Sequence, residues 1–123
     1  MKNDWSRRQE AVCIKYGAAV VPVDPGEKVG IARNVRTGIK PINGMRVLPE
    51  NGTSGWYIWA GPVLSTAPDF FEPLHIAHLE DWCEPAMQFL ALPPGWRFLV
   101  AGDHVDVWFD PDLDLRPLSQ QQP

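Results

Sequence analysis

His75 and His78 stand three residues apart, a spacing that on a helix turns two imidazoles to one face, and Asp81 lies a further three along. Two ring nitrogens and a carboxylate oxygen are donors that a divalent cation accepts. Such a pocket would make the chain a small metal-dependent or ligand-binding enzyme with His75 and His78 at its site. The pattern falls short of a full ligand set, because zinc draws three or four protein ligands and the two-turn His-Glu-x-x-His arrangement is absent. Packing or hydrogen-bonding histidines are the expectation, with no metal and no cofactor.

Other groups able to do chemistry read the same way. Cys13 and Cys83 form no Cys-x-x-Cys pair and sit in no nucleophile signature, so free, buried thiols are expected. No Gly-x-Ser-x-Gly elbow is present. Asp106 with Asp110, or Asp112 with Asp114, could act as acid and base, but alternating acids at a strand end ordinarily form a solvated edge. Gly26-Glu27-Lys28 lacks the upstream glycine and the Ser or Thr of a phosphate-cradling loop. The residues therefore predict a protein that is not an enzyme.

A contact surface remains. Asp103, Asp106 and Asp110 flank Trp108, and negative charge around a flat aromatic suits a cationic protein partner through steering and one buried anchor. The competing reading makes Trp108 the cover of a second core layer and the acids a guard on an edge strand. Trp59 belongs to the run Gly55-Trp56-Tyr57-Ile58-Trp59-Ala60-Gly61, which carries no charge. Trp56 and Ile58 point to one side of a pleat, and Tyr57 and Trp59 to the other. A central strand buried on both faces explains that, while the sharper alternative exposes Tyr57 and Trp59 as a binding platform.

Composition bounds the rest. A chain of 123 residues with 45% hydrophobic content, six Trp and five Phe can bury a core, and its 13 Pro and 10 Gly favour short elements joined by turns. The formal charge of −4 with scattered basic residues argues against nucleic acid. No apolar run approaches the ~20 residues of a membrane span, and the polar start Met1-Lys2-Asn3-Asp4 does not read as an export signal, so a cytoplasmic protein is expected.

These pieces predict an α+β domain over residues 1–110, an antiparallel sheet with a C-terminal hairpin, covered by two or three short helices. Residues 111–123 lose periodicity and read as a loose tail. Asp4 or Ser6 caps a helix that ends at Gly17. Ala18 to Val23 reads as a short β run, Val29 to Val35 and Gly44 to Leu48 as strands with a turn at Asn43-Gly44, and Asn51-Gly52 as a second turn. Asp69 and Glu72 resemble a capping box for a helix placing Leu74, His78, Leu79 and Trp82 on one face, followed by a short helix from Pro85. Gly102-Asp103 suits a two-residue hairpin turn, and counting back pairs Ala101 with His104, Val100 with Val105, Leu99 with Asp106, Phe98 with Val107, Arg97 with Trp108 and Trp96 with Phe109. Arg97 then reaches the face of Trp108.

The succession Ala32-Arg33-Asn34-Val35-Arg36, Gly44-Met45-Arg46-Val47 with Pro49, and Thr53-Ser54-Gly55-Trp56-Tyr57-Ile58-Trp59-Ala60-Gly61 resembles a family of bacterial immunity proteins, the thirty-third among the polymorphic-toxin immunity domains. Ser54-Gly55-Trp56 is the most specific part. Thr53 and Pro62-Val63 stand where that family's pattern has acids. The resemblance implies an α+β domain that binds a cognate toxin directly and stoichiometrically in the bacterial cytoplasm. An acidic inhibitor fits a toxin with a basic groove. A structural module inside a larger assembly is the third reading.

Overall fold

A computed structural model describes residues 4–65 and 67–121, the side chain of Ser119 apart. The chain ends named above, Met1–Asn3 and Gln122–Pro123, lie outside the described residues. Helix α1 (Asp4–Tyr16) comes first and stops at Gly17, whose φ of +72° lets the N–H groups of Gly17 and Ala18 turn back onto the carbonyls of Ile14 and Cys13. Six strands follow: β1 (Lys28–Ala32), β2 (Ile42–Arg46), β3 (Thr53–Ala60), β4 (Phe71–His75), β5 (Trp96–Ala101) and β6 (His104–Phe109). They form one sheet in the order β4-β1-β3-β2-β5-β6, antiparallel except where β1 runs parallel to β3. Among the described residues no helix is long and apolar enough to cross a membrane.

β3 is central, and its aromatic run is covered from both sides, with Trp56, Ile58 and Trp59 buried and Tyr57 half-buried. Trp56 and Ile58 enter the larger core with Val29, Ile31, Phe98 and Val100, beneath α1, the short helix α2 (Leu79–Cys83) and a 3-10 helix over Glu84–Phe89. Phe89 stacks on Phe98 with ring centres 4.3 Å apart, and Trp56 tilts against Phe98 at 5.5 Å. On the opposite face Ala32, Met45 and Trp59 make a smaller cluster, packed by Tyr57, Phe70, Phe71, Leu113 and Leu118. Leu113 and Leu118, in the segment expected as a tail, thus pack on the sheet, and the Leu48 N–H donates to the Leu115 carbonyl at 2.8 Å.

Some expectations give way to tertiary pairing. Asn43 and Gly44 lie inside β2, not in a turn, and the glycine is needed there because a Cβ would stand 2.1 Å from the Phe98 ring. Residues 71–75 are a strand, since β1 offers Phe71 to His75 a complete antiparallel partner that outweighs the local capping pattern, and helix begins only at Ile76. Ala18 to Val23 pairs with no strand, although the Val21 N–H reaches the Ala91 carbonyl at 2.8 Å. The strand read from Val29 to Val35 ends at Ala32, where a 3-10 helix over Arg33–Arg36 takes over.

A buried cation ties these layers together. Arg46 is 4% exposed and meets carbonyl oxygens in place of a carboxylate. Its Nε donates to Ser54 at 2.9 Å, and its Nη1 to Val21 at 2.7 Å, Leu92 at 2.9 Å and Leu90 at 3.2 Å. The Trp56 indole N–H donates to the same Leu90 carbonyl at 3.0 Å. Gly55, at φ +89°, passes so close to Val47 that a Cβ would lie 2.1 Å from its carbonyl oxygen. The Ser54 hydroxyl donates to the Lys28 carbonyl at 2.9 Å.

Trp56→Ala removes a buried ring and its bond to Leu90, so urea unfolding should register a loss of ~3–5 kcal/mol. Arg46→Lys cannot reproduce the fork and leaves carbonyls unsatisfied, for an expected loss of about 2–4 kcal/mol. A midpoint unchanged in Arg46→Lys would show that the carbonyls find other donors.

Candidate functional site

The acidic aromatic surface is built on the β5–β6 hairpin. Gly102 at the turn has φ +61°, the sign its first central position demands, and the register runs from Ala101 opposite His104 to Trp96 opposite Phe109 without a break, as counted from the turn. Alternation sends Phe98, Val100, Val105 and Val107 toward the larger core and Arg97, Leu99, Asp106 and Trp108 to the other face.

On that outer face the guanidinium of Arg97 lies 5.7 Å from the centre of the Trp108 ring, and its Nη1 donates to Asp110 Oδ2 at 3.1 Å. The Arg97 hydrogen bond, followed by one from the Asp112 N–H, holds the Asp110 carboxyl below its ordinary pKa. Asp110 is therefore a clamp on the arginine that supports Trp108. Asp106 meets His104 at 2.9 Å across the strand's exposed side, and Asp103 is open at the turn. Trp108 is 37% and Phe109 52% exposed. Phe109 is seated over Gly95, where a Cβ would come within 2.6 Å of its ring. Sequence reasoning missed Phe109 as a surface residue. The available signal was Gly95 beside a strand that ends in two adjacent aromatics, which cannot both face the core.

Trp59 lies apart from this group. At 3% exposure it is interior, edge-on to Phe71 at 6.2 Å, and separated from Asp106 by Asn43 and Leu99 in successive strands. It is set aside as a contact residue because Phe70, Phe71 and the returning C-terminal segment pack on its cluster.

The histidine pair does not sit on one helix. His75 ends β4 and His78 ends a 3-10 helix over Ile76–His78, with exposed rings 6.3 Å apart. Among the described residues no three His, Cys, Asp or Glu side chains gather as a metal-ligand set. Both cysteines are free and buried, and burial pushes the Cys83 thiol up to about 11 and raises that of Cys13. A cavity of about 210 Å³ opens where β1 and β3 slip register around Gly55, walled in part by Gly30, Tyr57, Phe71 and Pro73. Lys28 and Glu72 also line it, but no nucleophile paired with a base does.

A family model described as an Imm33-like domain matches residues 8–110 of the 123. No curated protein and no solved structure matches the chain. The matched span includes Arg46, Ser54-Gly55-Trp56 and the whole hairpin through Asp110, and stops before Leu113 and Leu118.

Raised thiol pKa values and burial leave little thiolate to react at pH 8. Native protein should react with a disulfide reagent at least ~100-fold more slowly than urea-unfolded protein, which should titrate both thiols. Rapid native titration of either thiol would mean that its covering elements open readily.

Proposed function

Because the chain belongs to the Imm33-like domain family, we propose that it is an immunity-type protein that neutralises a cognate bacterial toxin by direct, stoichiometric binding. The observation that carries this reading is the family match across most of the chain, from α1 through β6. The hairpin surface supports it: Asp103 and Asp106 supply charge, Trp108 the flat anchor, and Asp110 the support beneath it. A partner with a basic groove would be steered by this charge and would bury the indole. In this reading the chain acts in the bacterial cytoplasm, by occlusion, and its side chains perform no bond chemistry.

Co-expression with the protein encoded by the neighbouring reading frame tests the reading. Growth should be restored by this chain and by its His75→Ala and His78→Ala variants alike, since neither histidine belongs to the hairpin. No protection by the wild-type chain would remove the neutralisation reading. In the purified pair, Trp108→Ala should weaken binding by about 30-fold or more, as truncation of an interface anchor does. Asp106→Lys should slow association and flatten its dependence on salt. Both should leave the thermal midpoint within a few degrees of wild type, because both positions are exposed. A large drop in that midpoint for Trp108→Ala would return the residue to the core.

A further inference from the structure

The two edges of the sheet differ in the backbone groups that they offer. On the β4 side, the Ile76 N–H donates to the Glu27 carbonyl at 2.9 Å, so hydrogen-bonded rows fall at Leu74 and Glu72 and the outward positions are Phe71, Pro73 and His75. The middle one is a proline, which has no N–H to give. That edge lacks its central donor.

On the β6 side, the Asp110 N–H donates to the Gly95 carbonyl at 2.8 Å, which sets hydrogen-bonded rows at Trp108, Asp106 and His104. The outward N–H and C=O groups are then those of Val105, Val107 and Phe109. Among the described residues no strand lies beyond β6. β6 carries no proline, no lysine and no bulge, the devices that usually close an open edge. Its ends carry different chemistry: Asp103 and Asp106 near the turn, and exposed Trp108 and Phe109, pointing to opposite faces, at the far end.

We propose that the free edge of β6 is the docking line, and that the partner adds a basic β-strand along Val105, Val107 and Phe109. This deepens the neutralisation reading and rests on it. Backbone pairing with three outward residues would supply affinity. Trp108 and Phe109 would bracket the incoming strand from both faces. Charge selects the occupant: the hairpin and the turn after it carry one arginine, Arg97, against Asp103, Asp106, Asp110 and Asp112. A second copy of the same acidic strand is repelled, and a lysine- or arginine-bearing strand is attracted.

Amide hydrogen exchange on the full chain, alone and with a catalytically inactive form of the protein encoded next to it, is the test. In the free protein Asp106 and Trp108 should be protected and Val105, Val107 and Phe109 should exchange quickly. In the complex these three should slow by about 100-fold or more. Val107→Pro removes one outward donor and no rung of the β5 ladder, and should weaken the complex by about tenfold. A complex in which the three amides exchange as before overturns the edge and leaves neutralisation standing. Failure of the two proteins to associate overturns both. Slowing of the same amides in the free protein as its concentration rises, with a dimer's mass, would make a second copy the occupant and overturn the proposal.

Discussion

Burying the Arg46 guanidinium without a carboxylate is the constraint on which the fold turns. A full charge taken from water is costly unless its donors are met, and here the carbonyls of Ser54, Val21, Leu90 and Leu92 accept from its Nε and Nη1. The cost shows in the arginine's pKa, which burial lowers to about 10, with Glu27 acting the other way. The four acceptors come from three parts of the chain: β3, the segment after α1, and the loop after the 3-10 helix over Glu84–Phe89. None of these can move without leaving a donor or an acceptor bare. The arginine thus fixes how the helical layer sits on the sheet, which Trp56 reinforces through the same Leu90 carbonyl.

The segment whose residues resemble the family's is the frame around that cation. Ser54 accepts from Arg46 and donates to Lys28, Gly55 slips past the Val47 carbonyl where no side chain fits, and Trp56 fills the core beneath. All three residues are buried. Residues buried in this way hold the fold together and present no surface to another molecule. The surface that could meet a partner has to be sought elsewhere, on elements this motif only positions.

What the sequence revealed follows from which interactions are local. The hairpin could be counted rung by rung because a two-residue turn with glycine first determines the register, and the burial of Trp56 and Ile58 agrees with the absence of any charge beside them. Asn43-Gly44 misled because its glycine answers to Phe98, more than fifty residues away, and Asp69 to Glu72 misled because β1 is a better partner than a helix cap. The return of Leu113 and Leu118 to the sheet rests on isolated leucines among prolines and acids, a pattern with no period to read. Of the surface residues, Asp103, Asp106 and Trp108 were legible from charge beside an aromatic. Trp59 reads two ways: the uncharged run favours a central strand while a contact platform keeps it a candidate, and the packing of Phe70 and Phe71, distant in sequence, places it inside.

Rigidity links the frame to the proposed surface. Trp108 is held by Arg97 on one side, Arg97 by Asp110, and Asp110 by the Asp112 N–H, so the indole is ordered before any partner arrives. Phe109 is likewise seated against Gly95, whose own N–H donates to the Arg46 carbonyl at 2.7 Å. The chain of contacts therefore runs from the buried cation's own backbone to the last residue of the edge strand. An interface made from groups already fixed loses less entropy on association than one made from free side chains. In that physical sense the proposed surface is shaped for binding, since the groups that it would present are held in place by the frame beneath them.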